Sequence, residues 1–104
     1  MNAKVNIVYK VFTHDEKKYF DEKKVFLGSE VDLKDGFIHL CTLSQLQGVL
    51  KRYYLKTPVS VLSFNILDLG QDIKWENDFP HLYNRPLKRE EVIDELISSP
   101  PHLL

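Results

Sequence analysis

The chain has 104 residues, 43% of them hydrophobic, and a formal net charge of −1 from 14 Lys and Arg against 15 Asp and Glu. Because domains run to about 100–200 residues, we expect one domain over residues 1–104. The balanced charge argues against a strongly basic nucleic-acid surface. The single cysteine, Cys41, excludes an intramolecular disulfide and a multi-thiolate metal site.

Two features that the sequence lacks, a membrane helix and a secretory signal, indicate where in the cell the protein is located. No stretch approaches the roughly 18 apolar residues that a membrane helix needs. The first residues, MNAKV, lack the apolar segment of a secretory signal. We therefore expect a cytoplasmic protein with no membrane partner.

The first half of the chain predicts a strand followed by a helix. Alternating apolar residues over 5–12 indicate the strand. Thr13 and Glu16 have the spacing of a capping box, which begins a helix with Tyr19 and Phe20 on its inner side. Glycines at 28 and 36 then predict a loop.

The second half alternates strands and helices. A strand over 37–41 leads to a second capping box at Thr42 and Gln45, which begins a helix with an apolar stripe. Strands are expected over 59–65 and 73–76, turns at Pro80 and Pro86, and a helix over 92–97. Prolines 100 and 101 predict an extended tail. This order of elements indicates an α+β fold with two or three short helices.

Two histidines interrupt apolar segments. His39 lies between Ile38 and Leu40, and His81 lies between Pro80 and Leu82. Burying an unpaired polar group costs about 1–3 kcal/mol, so such residues should face one another or a ligand. The sequence therefore predicts one polar cleft, built from His39, Thr42, Trp75, Glu76, His81 and Tyr83.

Each of these residues also has a structural explanation. His39 can bond a backbone carbonyl, and Thr42 can simply cap its helix, although a helix start also suits an anion. Adjacent strand residues face opposite ways, so Trp75 and Glu76 line one face only across a bulge or turn. His81 and Tyr83, two apart, share a side of an extended segment.

Two other chemistries are less favoured by the sequence. Cys41 could act as a nucleophile, but a free cysteine is more often a small buried apolar residue. A metal site from His39, His81 and Glu76 has no recognised ligand spacing, so no metal is expected.

Four ordered motifs resemble the domain-of-unknown-function 952 family. They are IVYKV at 7–11, DGFIHLCT at 35–42, KWE at 74–76 and PHLY at 80–83. The family reads roughly IYK, DGFIHLST, KWE and PHLY, so the resemblance covers about residues 7–96. The chain departs from it at Cys41, where the family usually has Ser, and a ligand contact made by that hydroxyl would be weaker here.

The resemblance implies a fold similar to ADP-ribosyltransferases, with small split sheets around a cleft for NAD or ADP-ribose. It places Tyr9 near the nicotinamide half, with Lys10 beside it. Thr42, Trp75 and Tyr83 would complete the ligand contacts. His39, Glu76 and His81 would be catalytic, with Glu76 bonding the ribose hydroxyls and stabilising the positive charge that develops as nicotinamide leaves.

Three functions remain open from the sequence. The first is an ADP-ribosyltransferase-like enzyme that acts on NAD or on an ADP-ribosylated or phosphorylated ligand. The second is a non-catalytic module that binds a nucleotide or a peptide in the same cleft. The third is an interaction domain in which the polar residues only satisfy one another.

Overall fold

The computed structural model describes residues 6–98, with side chains described to residue 96. It contains eight strands, β1 (Ile7–Thr13), β2 (Val25–Phe26), β3 (Ile38–His39), β4 (Val59–Asn65), β5 (Ile73–Glu76), β6 (Phe79–Leu82), β7 (Leu87–Lys88) and β8 (Val92–Ser98). The α-helices are α1 (His14–Lys23), α2 (Glu30–Asp35), α3 (Leu43–Tyr53) and α4 (Ile66–Leu69), and short 3₁₀ turns cover Gly70–Asp72 and Arg89–Glu91. The α+β class is confirmed, with four helices in the described residues instead of two or three. No helix within residues 6–98 has the length and apolar character to cross a membrane.

The strands form three small antiparallel sheets, in the orders β1-β4-β8, β2-β7 and β3-β6-β5. The chain that follows β3 connects the third sheet to the first. Leu40 N–H donates to Pro80 O on β6 at 3.0 Å, and Cys41 exchanges two backbone hydrogen bonds with Tyr9 on β1. The residues around His39 are therefore tied to both sheets.

The largest sheet is covered on both faces. One face of β1 and β4 carries Val8, Phe12, Leu62 and Phe64, which pack in a core with residues of the other two sheets. The opposite face carries a second core that includes Val11, Val59, Val61, and Leu46 and Leu50 of α3. Lys10 lies between Val8 and Phe12 on β1, which places its side chain on the side of the first core.

Several predicted elements are confirmed. β1, β4 and β5 lie where alternation indicated them, and the Thr13–Glu16 capping box begins α1 with bonds of 3.0 and 3.3 Å. At the start of α3, the Thr42 backbone N–H donates to Gln45 Oε1 at 2.9 Å. Of the two residues expected to face inward on α1, Phe20 is buried whereas Tyr19 is 45% exposed.

The helix expected over 92–97 is wrong, because Val92–Ser98 forms β8. Helix propensities differ by only tenths of a kcal/mol per residue, and pairing with β4 outweighs them here. At the register shift between β4 and β8, the buried Oγ of Ser63 donates to the carbonyl of Asp94 and accepts from its backbone N–H. The tail predicted at residues 100 and 101 lies outside the described residues.

Three other boundaries differ from expectation. A helix, α2, occupies the segment expected to be a loop, and Gly36 ends it with a φ of 90°. The strand expected over 37–41 is limited to Ile38–His39, followed by the isolated pairing at Cys41. Pro80 lies inside β6 and not in a turn, paired with Trp75. Its carbonyl accepts from Leu40 N–H, but proline has no N–H to donate in return, so only one of the two ladder bonds to Leu40 forms.

Candidate acid–base site

The first half of the site is a buried carboxylate bound to a histidine. Ser29 caps α2 and is followed three residues later by Asp32, whose side chain is 2% exposed. Asp32 Oδ1 accepts from the backbone N–H of His39 at 3.1 Å and lies 2.6 Å from His39 Nδ1. Asp32 Oδ2 accepts from Ser29 N–H at 2.9 Å and from Lys10 Nζ at 2.8 Å.

The second half is a histidine and a tyrosine on one carboxylate. Glu76 ends β5, and its Oε1 lies 2.7 Å from His81 Nδ1 and accepts from the Tyr83 hydroxyl, also at 2.7 Å. The predicted side-sharing of His81 and Tyr83 is seen, since both reach the same oxygen atom. Lys74, two residues before Glu76, places its Nζ 4.8 Å from the centre of the Tyr83 ring.

Strand register brings the two halves together. His39 on β3 is paired with His81 on β6, and their ring centres lie 5.3 Å apart. Phe37 packs against both rings, at 4.5 Å from His39 and 4.2 Å from His81, and lies 5.1 Å from Tyr83. We call Phe37, His39, Glu76, His81 and Tyr83 the histidine cluster. Because strand residues alternate, the neighbours Ile38 and Leu82 point to the core and the cluster occupies the outer face.

The charges around the cluster fix how its groups ionise. Burial alone would raise the pKa of Asp32, but the Lys10 ammonium and the hydrogen bonds from Ser29 and His39 lower it to about 2. Hydrogen bonds from His81 and Tyr83 lower the pKa of Glu76. The same carboxylate raises the pKa of the Tyr83 hydroxyl. Both carboxylates are therefore ionised at neutral pH and act only as hydrogen-bond acceptors.

Both imidazoles have Nδ1 within hydrogen-bond distance of a carboxylate. A neutral imidazole that donates from Nδ1 to a carboxylate has its free electron pair on Nε2. His39 Nε2 lies 3.2 Å from Asp35 Oδ2, whose side chain is 42% exposed. In the described part of the chain, His81 Nε2 has no hydrogen-bond partner. The two Nε2 atoms are thus the ring nitrogens that Asp32 and Glu76 do not engage.

The other predicted site residues lie outside the cluster. The Lys10 ammonium donates to Asp32 and to the His39 carbonyl, and its side chain is 6% exposed. Lys10 therefore holds these two residues in place from the buried side of the site. Tyr9 packs against the second core, and buried Thr42 bonds Ser44 at 3.1 Å. Trp75 is on the opposite face of β5 from Glu76, as alternation predicts. Their contacts with a ligand stay predictions.

Sequence reasoning missed Asp32 and Asp35, which contact His39 from α2. The signal for Asp32 was the Ser29-x-x-Asp32 capping spacing, hidden by the assignment of this segment to a loop. Cys41 is 3% exposed, and burial raises its pKa to about 12, so it is an apolar packing residue and not a nucleophile. Among residues 6–98, no group of three or more His, Cys, Asp or Glu side chains is placed to hold a metal ion.

Fold and site together define a small α+β protein whose surface carries two histidine–carboxylate pairs. The chain belongs to the family described as "Protein of unknown function (DUF952)", which it matches over residues 11–95. This confirms the membership that the four motifs indicated.

Two solved structures of protein CC0527 from Caulobacter crescentus are similar to this chain. The crystal structure has a TM-score of 0.82 and 36% sequence identity, and the match covers 88% of this chain and 84% of that one. The solution NMR structure has a TM-score of 0.76 and 36% identity over 88% and 83% of the two chains. None of the curated proteins compared with the chain matches it.

Proposed function

We propose that the histidine cluster is the catalytic site of a small ADP-ribosyltransferase-like enzyme that binds NAD or ADP-ribose. The observation that carries the proposal is the pair of imidazoles, 5.3 Å apart, each bound through Nδ1 to its own carboxylate. Neighbouring imidazoles of fixed orientation are suited to accept and donate protons near neutral pH. The ADP-ribosyltransferase-like sheet arrangement and the cytoplasmic location expected from the sequence belong to the same proposal.

Glu76 would act on the ribose. Its Oε1 is bound to His81 and Tyr83, and within the described residues its Oε2 has no hydrogen-bond partner, so Oε2 can accept from a ribose hydroxyl. The bond between the ribose carbon and the nicotinamide nitrogen breaks, and nicotinamide leaves with the bonding electron pair. The positive charge that develops on the ribose is stabilised by this ionised, prepositioned carboxylate.

His81 would complete the transfer. The oxygen of water or of an acceptor hydroxyl forms a bond to the ribose carbon and passes its proton to His81 Nε2. Lys74, held against the Tyr83 ring, supplies a positive charge for the diphosphate of the ligand. Contacts at Tyr9 and Thr42 require a ligand that extends beyond the cluster, as a dinucleotide does.

The test combines binding with product formation. Labelled protein is titrated with NAD, ADP-ribose and nicotinamide while NMR shifts of His39, His81 and Tyr83 are followed, and released nicotinamide is measured by chromatography. We expect saturable shifts, and loss of product in Glu76→Gln and His81→Gln with unchanged melting temperature. The matched controls are Glu90→Gln and His14→Gln, which alter exposed residues of the same types. No shifts at millimolar ligand would refute the proposal.

A non-catalytic nucleotide- or peptide-binding module is the second candidate. It is favoured by the fact that both carboxylates, Asp32 and Glu76, already have histidine partners, since a purely structural or binding site would also satisfy its polar groups. Saturable NAD binding with no nicotinamide released over hours would establish this candidate in place of the enzyme.

A further inference from the structure

We propose that Asp32 is a positioning residue that holds His39 in the tautomer protonated on Nδ1, so that His39 exchanges protons only through Nε2. This inference rests on the proposed function, because it assigns a role inside the same site. It is carried by the hydrogen-bond geometry of a buried side chain that sequence reasoning did not single out.

The Asp32 carboxylate is fully engaged. Its two oxygens receive four hydrogen bonds, from Ser29 N–H, Lys10 Nζ, His39 N–H and His39 Nδ1, at distances between 2.6 and 3.1 Å. An ionised carboxylate has about four lone-pair sites and no proton to give. The imidazole therefore has to supply the proton on Nδ1, and the ring is held in place by both its backbone and its side chain.

Lys10 keeps this arrangement charged and rigid. Its ammonium lies 2.8 Å from Asp32 Oδ2 and also donates to the His39 carbonyl at 3.0 Å. It thus neutralises the carboxylate and at the same time anchors the backbone of the histidine that the carboxylate orients. In agreement, the pKa of Asp32 is lowered to about 2 although burial opposes ionisation.

The groups that face His39 from other directions differ in exposure. Asp35 Oδ2 lies 3.2 Å from Nε2, but its side chain is 42% exposed, against 2% for Asp32. The rings of Phe37 and His81 pack at 4.5 and 5.3 Å. A surface carboxylate can turn away to admit a ligand, whereas the buried one is fixed by four contacts. Nε2 is therefore the exchangeable position and Nδ1 the structural one.

An amide at position 32 should reverse the tautomer. In Asp32→Asn the amide oxygen should face Lys10 and Ser29, which can only donate. The NH₂ group then faces His39, whose backbone N–H also donates but whose Nδ1 can become an acceptor. That nitrogen must then accept, and the proton moves to Nε2. Exchange of carboxylate for amide in a histidine dyad is known to act in this way, through the wrong tautomer with the geometry kept.

The experiment uses protein labelled with ¹⁵N-histidine and a two-bond ¹H–¹⁵N correlation spectrum, which distinguishes protonated from unprotonated ring nitrogens. At a pH where His39 is neutral, we expect the Nδ1–H form to dominate in the wild type and the Nε2–H form in Asp32→Asn. Because Asp32→Asn can unfold the protein, Asp35→Asn is measured too. This surface variant should keep the wild-type tautomer. Glu76→Gln is the matched control: its amide oxygen can take the place of Oε1, which accepts both bonds, and its NH₂ group the place of Oε2, so the tautomers of His81 and His39 should both stay unchanged.

The outcomes separate this inference from the proposed function. A wild-type His39 that is mainly Nε2–H, or a tautomer that follows Asp35 instead of Asp32, overturns the positioning role even if NAD is turned over. The expected spectra without NAD turnover leave the positioning geometry standing and refute only the enzyme. Where turnover is found, Asp32→Asn should lower kcat by about 100-fold or more with little change in KM.

Discussion

Removing both partners of the buried pair Lys10–Asp32 should cost less stability than the two single removals added together. The side chains are 6% and 2% exposed and their charged atoms are 2.8 Å apart. Breaking such a pair leaves an uncompensated buried charge, which costs about 3–5 kcal/mol. Whole domains are stable by only about 5–15 kcal/mol, so either Asp32→Asn or Lys10→Met alone should be severely destabilising.

The magnitude can be expressed as a melting temperature. In a domain of about 100 residues, 1 kcal/mol shifts Tm by about 4–8 °C, so either single variant should melt about 12–40 °C below the wild type. The double variant Lys10→Met with Asp32→Asn removes both charges, and its loss should fall short of the sum of the single losses by about 1–3 kcal/mol. Asp32→Asn weakens the Ser29 and His39 hydrogen bonds both in the presence and in the absence of Lys10. Their loss therefore cancels when the double variant is compared with the two single variants.

The assay is urea unfolding at neutral pH, followed by the fluorescence of the single tryptophan, Trp75, and by circular dichroism. Asp94→Asn, at an exposed position, is the control and should change stability by less than about 0.5 kcal/mol. If the two single losses simply add, or if Asp32→Asn costs less than about 1 kcal/mol, the pair is not the coupled buried unit described above.

Unfolding in acid, two glycine substitutions and the reactivity of Cys41 give three further tests of the structure. The folded pKa of Asp32, about 2, lies below its ordinary 3.8, so about 2 kcal/mol of stability is present above pH 3.8 and disappears as the pH falls toward 2. Urea midpoints across this range should fall more steeply in the wild type than in Asp32→Asn, where other carboxylates of lowered pKa, such as Glu76, still lose their contribution. Gly28→Ala should destabilise by about 1–3 kcal/mol, because Gly28 has a φ of +133° and its Cβ would lie 2.8 Å from Asp32 Cβ. Gly48→Ala, in open space within α3, should instead stabilise by about 0.5–1 kcal/mol, so equal thermal shifts in the two variants would contradict this geometry. Cys41, 3% exposed and with its pKa raised to about 12, should react with a thiol reagent only as fast as the protein unfolds.

Much of the secondary structure could be predicted because its causes are local. The capping box of Thr13 and Glu16 joins residues three apart, and the alternation in β1 and β4 is legible in seven-residue segments. The same local logic shows that Trp75 and Glu76 face opposite ways. It failed over 92–97, where the helical preference of the segment was weaker than its pairing with β4, a partner about thirty residues away in the chain.

For the candidate site, too, some residues could be identified from the sequence, whereas their contacts could be identified only from the structure. The sequence by itself determined family membership, the α+β class and the prominence of His39, Glu76, His81 and Tyr83, because unexpected polar residues in apolar segments are visible one by one. Only the tertiary structure decided that the two histidines share one face and that Asp32 lies beneath His39. Those contacts depend on the register of β3 against β6 and on the docking of α2, which are set by packing between segments distant in the chain and leave no local pattern.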